Sequence, residues 1–589
     1  MNIRTSKFAF GMLFYQSRVM VVLVLFFLAE GNALAQKKDK SIVEHPCLIL
    51  QKKDVADLKT AIQTLEIVRN SYNEQLTRAN IAVHADVIVP IPVDPAGAYT
   101  HEKHRNNYLD MYAAGICYQV TGDTIYSNFI TKMLLKYAVM YPTLGTHPEG
   151  KNSAPGKLFW QNLNETVWLV YTIQAYDCAY DAISVKDRKV IEKGILREMV
   201  KFISVDNREV FDKIHNHGTW AAAAVGMTGY VIGDNEMVKK AIYGTKGTQE
   251  SGFLRQIHDL ISPDGYYAEG PYYLRYALMP FMLFAQAIQN NQAEVKIFEY
   301  KDRVFQKAVL GELQLTDEKG LIFPVNDAMR EKGIQTAELV AACNIAYNQY
   351  GDKNILPIVR EQGQVILGGP GIRAAQGLAQ NPDVVFEQYP LFARDGIEGK
   401  NGGIAVSRIP FKSGKLTTIL KFTTQGMGHG HFDRLSLMAY DAAGAFLSDY
   451  GAARFLNIPT KYGGRYLPEN DSWAQQSIAH NTVIVDETSH CRGNWRESEK
   501  ASPALLYNIF DKDIQIIAAK DSSAYPDVVM KRIVSVIPEG DAPFIIDLFS
   551  LESNKAHNYD YAFQYQGHVI ATTFDFKPFT TELKSLGKK

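Results

Sequence analysis

Cysteine is scarce in this chain. Five are scattered along 589 residues (Cys47, Cys117, Cys178, Cys343 and Cys491) with no CxxC pair. This excludes a disulfide-built scaffold and a thiolate zinc site, and leaves buried thiols with at most one bridge. An excess of one charge is also missing. The 62 Lys and Arg face 63 Asp and Glu for a formal net charge of -1, so no global field draws the chain to nucleic acid or to an anionic membrane. A polyanionic ligand would need a local basic cleft. Beyond the N-terminus there is no uninterrupted apolar run of about 18 residues to span a bilayer. No fixed-period repeat marks an armadillo or tetratricopeptide array, and no carboxylate pair of the glycosidase type stands out. His101-Glu102-Lys103-His104 lacks the HExxH spacing that sets two zinc ligands on one helix face, which makes a metallohydrolase the weakest reading. Tryptophan is sparse, at 5 against 32 tyrosines. Tyrosine can stack on a sugar face while its hydroxyl makes a hydrogen bond, although core packing is its commoner use.

The N-terminus has the pattern of an export signal. Arg4, Lys7 and Arg18 precede an apolar run over 19–29, and Ala33-Leu34-Ala35 supplies a small-x-small motif, so cleavage is expected after Ala35, with a periplasmic or secreted product. No cysteine follows to carry a lipid. The length leads one to expect two domains. Over 36–365 the periodicity is helical, with segments at 107–120, 165–182, 187–202 and 219–233 separated by short breaks such as Thr121-Gly122-Asp123 and Gly233-Asp234-Asn235. Residues 366–384, from Leu367-Gly368-Gly369-Pro370-Gly371 to Asn381-Pro382, read as a linker. Strand patterns follow over 385–589, at 403–407, 416–422, 435–440, 481–485, 514–518, 528–537 and 543–551. The expected fold class is multidomain α+β: an N-terminal α/α toroid, or incomplete barrel, then a C-terminal antiparallel β-sandwich.

The most informative stretch is Gly428-His429-Gly430-His431-Phe432-Asp433. Side chains alternate along an extended chain, so one histidine can face a cleft while the other faces a metal. Asp449 and His480 would complete a set of one carboxylate and two imidazoles, ligand types that suit Zn²⁺. The plain alternative is a strand with two surface histidines. In the helical half, His215-Asn216-His217-Gly218-Thr219-Trp220 opens an apolar helix. Asn216 and His217 then sit at or near a helix N-terminus, where unpaired N–H groups and the dipole favour an anion; an Asn cap with a core histidine is the plain alternative. The stretch from Asp264 to Tyr276 crowds five tyrosines and Arg275 into thirteen residues, with aromatic packing around a turn as its plain alternative.

Asn, His, Tyr and Arg beside a metal-supported histidine suit one chemistry in particular. A uronic-acid polymer is cut without water if the C5 proton, α to the carboxylate, is removed and the C4 oxygen is expelled. Asn with His or Arg can stabilise charge building on the carboxylate; Tyr or His can act as base, and a Tyr hydroxyl can protonate the leaving oxygen. A tyrosine near pKa 10 is a poor base unless its phenolate is stabilised, for which Arg275 and the imidazoles are candidates.

The segments NHGTW, DGYYAEGPYYLRYA, GHGHFDRLSL, LSDYGAARF and QSIAHNTVIVD resemble the alginate lyases of polysaccharide lyase family 17 and, more broadly, the heparinase II/III-like lyases. The resemblance covers nearly the whole mature chain. It implies a toroid, a sandwich and a cleft between them for an acidic polysaccharide, with exolytic action on alginate or oligomannuronate. It makes Asn216 and His217 the carboxylate-side pair, with His217 also a candidate base. Tyr273 becomes the proton donor, and for mannuronate also the acceptor of the C5 proton, while His429 reaches into the cleft. His431, Asp449 and His480 become ligands of a structural zinc ion that does not activate water. Tyr266, Arg275, Tyr276 and Tyr466 fall where such enzymes contact substrate; His101, His104, Gln161 and Asn164 are added because polar residues cluster there. Against the family's sandwich the strand-rich half ends early at Lys589, so that a last set of strands would be missing and an edge exposed. A heparan-sulfate-type lyase and a non-catalytic polysaccharide-binding protein are the alternatives. A second copy of the chain, as a homodimer, is the one protein partner considered.

Overall fold

The computed structural model describes residues 44–150, 154–412, 414–453, 467–539 and 542–577. The expected signal segment and Tyr466 lie outside them. Residues up to 380 are helical, and sheets follow.

Short capped turns set the helix boundaries. Tyr99–Thr121 ends at Gly122, which takes the left-handed conformation at φ 75°, and Asp123 then caps Thr124–Met140 by accepting the Ile125 N–H at 2.9 Å. Asp234 caps Asn235–Tyr243 in the same way. Helix Asn216–Val231 is buried along nearly its whole length. Its alanines and glycines allow that: a Cβ at Gly226 would lie 2.0 Å from the Phe284 ring. It packs between Asn162–Ala179 and Pro271–Asn291, and the series continues through Ala337–Tyr350 to Gly369–Gln380, which touches Val55–Thr64 and Glu66–His84 near the start. Residues 369–380 were expected to be a linker. They form a helix instead, because Pro370 sits at a first-turn position where its fixed φ helps, and Ile372, Ala374 and Ala375 bury its inner face.

The second half contains antiparallel sheets. Strands β1 (Leu391–Arg394), β2 (Gly403–Phe411), β3 (Gly414–Phe422), β4 (Ser436–Asp441) and β5 (Gly444–Leu447) pair in sequence order. After β6 (Val483–Val485), strands β7 (Ala504–Phe510), β8 (Gln515–Tyr525), β9 (Val528–Ile537) and β10 (Phe544–Ser553) form a four-stranded sheet, and β11 (Tyr559–Tyr561) pairs with β6. The seven expected strands are present; β1, β5, β7 and β11 were not foreseen. The period-two alternation serves two cores. Ala405, Leu420 and Leu437 face Ile517, Met530 and Val534 of the other sheet, whereas Ile404, Val406, Ile419 and Met438 face Tyr266, Leu315 and Phe323 of the helical half. Arg408 on β2 fastens the two halves: it is buried and donates to the carbonyls of Gln314, at 2.5 Å, and of Tyr389, at 2.7 Å. All five cysteines are free thiols. No described helix is long and apolar enough to cross a membrane.

Candidate active site and metal cluster

The site gathers where the helical half meets the loop between β3 and β4. His215, extended at φ -174°, caps helix Asn216–Val231, its Nδ1 accepting the His217 N–H at 3.3 Å. The cap is therefore His215 and not Asn216, which leaves the Asn216 side chain available. Its Nδ2 donates to Glu269 Oε2 at 3.0 Å, and His215 Nε2 meets Glu269 Oε1 at 3.0 Å. Glu269 is followed by Gly270, at φ 93°, and by Pro271, which starts the helix carrying Tyr273 in its first turn.

The Gly428–Asp433 stretch is a turn and not the strand expected. Gly430 dictates this, since a Cβ there would sit 1.0 Å from the Gln425 carbonyl oxygen. The two imidazoles still diverge. His429 stacks on the Tyr273 ring, with centroids 3.8 Å apart and planes at 24°, while His431 faces His480 at 5.1 Å between centroids. Asp327 holds both, accepting from His429 Nδ1 and His431 Nε2 at 3.2 Å each and from Asn470 Nδ2 at 2.7 Å. Glu269 Oε1 lies 3.8 Å from the other nitrogen of His429.

Burial and pairing set the charges. Burial opposes ionisation of Glu269, but the close contact and charge of His215, then His429 and Asn216, hold its carboxyl down to about 2. Burial likewise opposes ionisation of Asp327, and the two histidines overcome it and keep it well below the usual carboxylate range. Burial first, then the charge of His215, pushes His217 down to about 3, so its imidazole is neutral near pH 7.

Three groups among the described residues have ligand atoms close enough to hold a metal: His45, Cys47 and Asp177; His215, Glu269 and His429; and His431, Asp449 and His480. In the first, Asp177 is occupied by His45 Nδ1 at 2.7 Å and by the N–H groups of Cys47 and Leu48, bonds that pin the start of the described chain. The last group fits a cation best. His431 Nδ1 and His480 Nε2 are buried without a hydrogen-bond partner, a costly state that a metal relieves. The Asp449 carboxyl is held at about 2: burial opposes ionisation, and the charge and hydrogen bond of His480 override it. The bond from Asp327 to the second nitrogen of His431 is the outer support that ligating histidines use.

Asn216, Tyr273 and His429 are thus brought together, with His217 beside them across the His215 ring at 4.8 Å. Tyr276, half-buried, lies against Trp220. Arg275 is engaged by Glu338 at 3.1 Å and by the Tyr272 ring, while the ring neighbour of Tyr273 is His429. The imidazole, more than Arg275, is therefore the stabiliser the geometry offers. Gln161 and Asn164 are half-buried at the start of helix Asn162–Ala179. Two expected substrate contacts belong to the interior: Tyr266 fills the cluster with Phe323 and Met438, and His104 is enclosed by Tyr137 and Phe159. His101 is buried against Phe159 as well. Sequence reasoning passed over His215, Glu269, Asp327 and Asn470. Glu269 lay inside the tyrosine-rich motif, but a lone glutamate there carries no spacing signal.

A helical half, an antiparallel sandwich and an Asn–His–Tyr–His constellation between them define the polysaccharide lyase class. The alginate lyase family profile matches residues 70–318, and that of the heparinase II/III-like C-terminal region matches residues 393–584. The chain is 42% identical over 547 residues to an exo-oligoalginate lyase of Saccharophagus degradans, covering 92% of this chain and 74% of that protein. It is 46% identical over 506 residues to an alginate lyase of Stenotrophomonas maltophilia, covering 86% and 68%. A heparinase III shares the fold at a TM-score of 0.56 and 14% identity, covering 85% of this chain and 73% of that one. The heparan sulfate lyase of Pedobacter heparinus does so at 0.50 and 12%, covering 82% and 71%. The chain belongs to the alginate lyases of the heparinase II/III-like type, polysaccharide lyase family 17.

Proposed function

We propose that this enzyme cleaves alginate by β-elimination, acting on oligomannuronate from a chain end and releasing an unsaturated uronate, after export to the periplasm or beyond. The observation that carries the chemistry is the stack of Tyr273 on His429 beside Asn216, which joins residues from both halves. The Asn216 amide and His217 bind the substrate carboxylate and stabilise charge as the C5–H bond breaks. The C5 proton passes to Tyr273 in its phenolate form or to the neutral His217. The electron pair forms the C4–C5 double bond, the C4–O bond breaks, and the departing oxygen takes a proton from the Tyr273 hydroxyl. His429 supports the phenolate.

His431, Asp449 and His480 hold a structural Zn²⁺ in this reading, which supplies cross-linking of the loop and no activated water. Tyr276, Gln161 and Asn164 contact the substrate in this reading, while Arg275, buried and held by Glu338, braces the helix behind them. The ring of packed helices from Glu66–His84 round to Gly369–Gln380 supports an α/α toroid. The matched ranges, 70–318 and 393–584, support an alginate-lyase domain followed by a sandwich domain, and the packing of helix Gly369–Gln380 on the helical half moves the proposed boundary from 365 to about 380.

Ultraviolet absorbance during separate incubations with polymannuronate, polyguluronate and heparan sulfate tests the reading, because elimination conjugates a double bond to the carboxylate. A rise with polymannuronate is expected. A rise confined to heparan sulfate would favour the sulfated alternative, and silence on all three would favour a binding protein. Among the described residues, Lys421 is paired with Asp433, Arg275 with Glu338, and Arg330 donates to the Asp449 carbonyl, which favours an unsulfated polymer.

A further inference from the structure

We propose that Glu269 is a positioning residue that sets the Asn216 amide and the His429 ring in register across the two halves of the cleft. The inference rests on the lyase reading above and adds a residue to it. Glu269 is fully buried. A buried carboxylate costs several kcal/mol unless its oxygens are engaged; here Oε2 accepts from Asn216 Nδ2 at 3.0 Å, and Oε1 is in ion-pair contact with His215 Nε2 at 3.0 Å, outside hydrogen-bond geometry. Its backbone is fixed as well. The Glu269 carbonyl accepts from Asn326 Nδ2 at 2.9 Å, and Asn326 Oδ1 accepts from Lys421 of β3 at 2.7 Å. Gly270 leaves room for this, since a Cβ there would stand 2.9 Å from that Asn326 nitrogen.

An ionised carboxylate only accepts hydrogen bonds. Asn216 must therefore turn its nitrogen, not its oxygen, toward Glu269. One amide proton is consumed, the second stays available for an anionic substrate, and Oδ1 is left buried without a partner. A neutral amide at 269 would not impose that choice, because it can offer either a donor or an acceptor. The same carboxylate lies 3.8 Å from His429 Nε2, opposite the Asp327 oxygen on Nδ1. The imidazole under Tyr273 is thus set between two carboxylates, one from each side. Glu269 touches no reacting atom in this scheme; it acts through Asn216 and His429.

The test is a double-mutant cycle on the full chain with polymannuronate, following kcat and KM separately. Glu269→Gln is expected to lower kcat about 100-fold with KM within about threefold, a loss typical of a misaligned stabilising donor. In an Asn216→Ala background the same change is expected to cost no more than about tenfold, since one of the two groups it positions is gone and only the share acting through His429 remains. Loss of the full 100-fold in that background, or a near-normal kcat for Glu269→Gln, overturns the proposal. If Glu269→Gln does not fold, Glu269→Asp, which keeps the charge but withdraws it by one methylene, enters the same cycle with a smaller loss expected and the same non-additivity. Wild-type inactivity on every uronate polymer would instead sink the lyase reading itself, a distinct result.

Discussion

Asn216 and His429, to which the proposed mechanism gives catalytic roles, are each held by a neighbour that is remote in sequence. Glu269 lies 53 residues from Asn216, and Asp327 lies 102 from His429. That separation explains which residues could be read from sequence. Asn216, Tyr273, His429 and the three metal candidates stand in short motifs whose residue types announce chemistry, and His429 and His431 flank Gly430 directly. Glu269 and Asp327 gain meaning only from contacts the fold makes. The charge on Glu269 has a measurable consequence. Its carboxyl is depressed from 4.5 to about 2, so its contribution to stability is complete above pH 4.5 and is lost as pH falls through that value toward 2. The urea midpoint should therefore fall between about pH 5 and pH 3, and more shallowly in Glu269→Gln. Equal slopes would mean that Glu269 is not ionised in the folded protein.

Among the elements, the turn that carries both histidines is the most constrained. Gly428 and Gly430 differ in kind. Gly428, at φ 85°, has open space around its missing Cβ, whereas a Cβ at Gly430 would overlap the Gln425 carbonyl. Gly428→Ala should cost about 1 kcal/mol from the left-handed backbone alone and keep most activity. Gly430→Ala should displace the turn, separate His429 from Tyr273 and abolish turnover. Thermal melts beside initial rates distinguish the two, and equal effects would contradict the described turn. Element boundaries were legible where glycine and aspartate punctuate helices, as at Gly122-Asp123 and Gly233-Asp234. They were not legible at 369–380, where glycine and proline look like a loop and yet start a helix. The unforeseen β7 is apolar in sequence, Ala504-Leu505-Leu506-Tyr507-Asn508-Ile509-Phe510, yet it shows no strict period-two alternation, and it lies half-buried or exposed.

Across the whole molecule, the cleft depends on how the halves are fastened. Burial lowers the Arg408 guanidinium to about 10, so it stays charged near pH 7 while serving carbonyls of both halves. Arg408→Met should cost about 3 kcal/mol by orphaning those carbonyls, and it should impair turnover without touching the site. A melting temperature within a degree or so of wild type would show that the fastening lies elsewhere. The candidate metal cluster, whose three residues all lie in the sandwich half, braces the loop that carries His429. A chelator should lower the melting temperature by several degrees, and added Zn²⁺ should restore it, with metal analysis giving about one ion per chain. Activity should follow stability and should not vanish at once, since no water on the metal is required. The two-part architecture was legible from the change of periodicity near residue 385. The interior positions of Tyr266 and His104 were not, because tyrosine and histidine serve cores and clefts alike.

The central claim is that Tyr273, stacked on His429, makes the proton transfers of an elimination. Its most direct test is Tyr273→Phe, with unsaturated product followed by ultraviolet absorbance and oligomannuronate affinity by calorimetry. The account predicts loss of at least about 1,000-fold in kcat with affinity within about threefold of wild type, since the ring and its stack persist while the transferable proton is gone. Turnover retained within tenfold of wild type would remove Tyr273 from the chemistry and contradict the account.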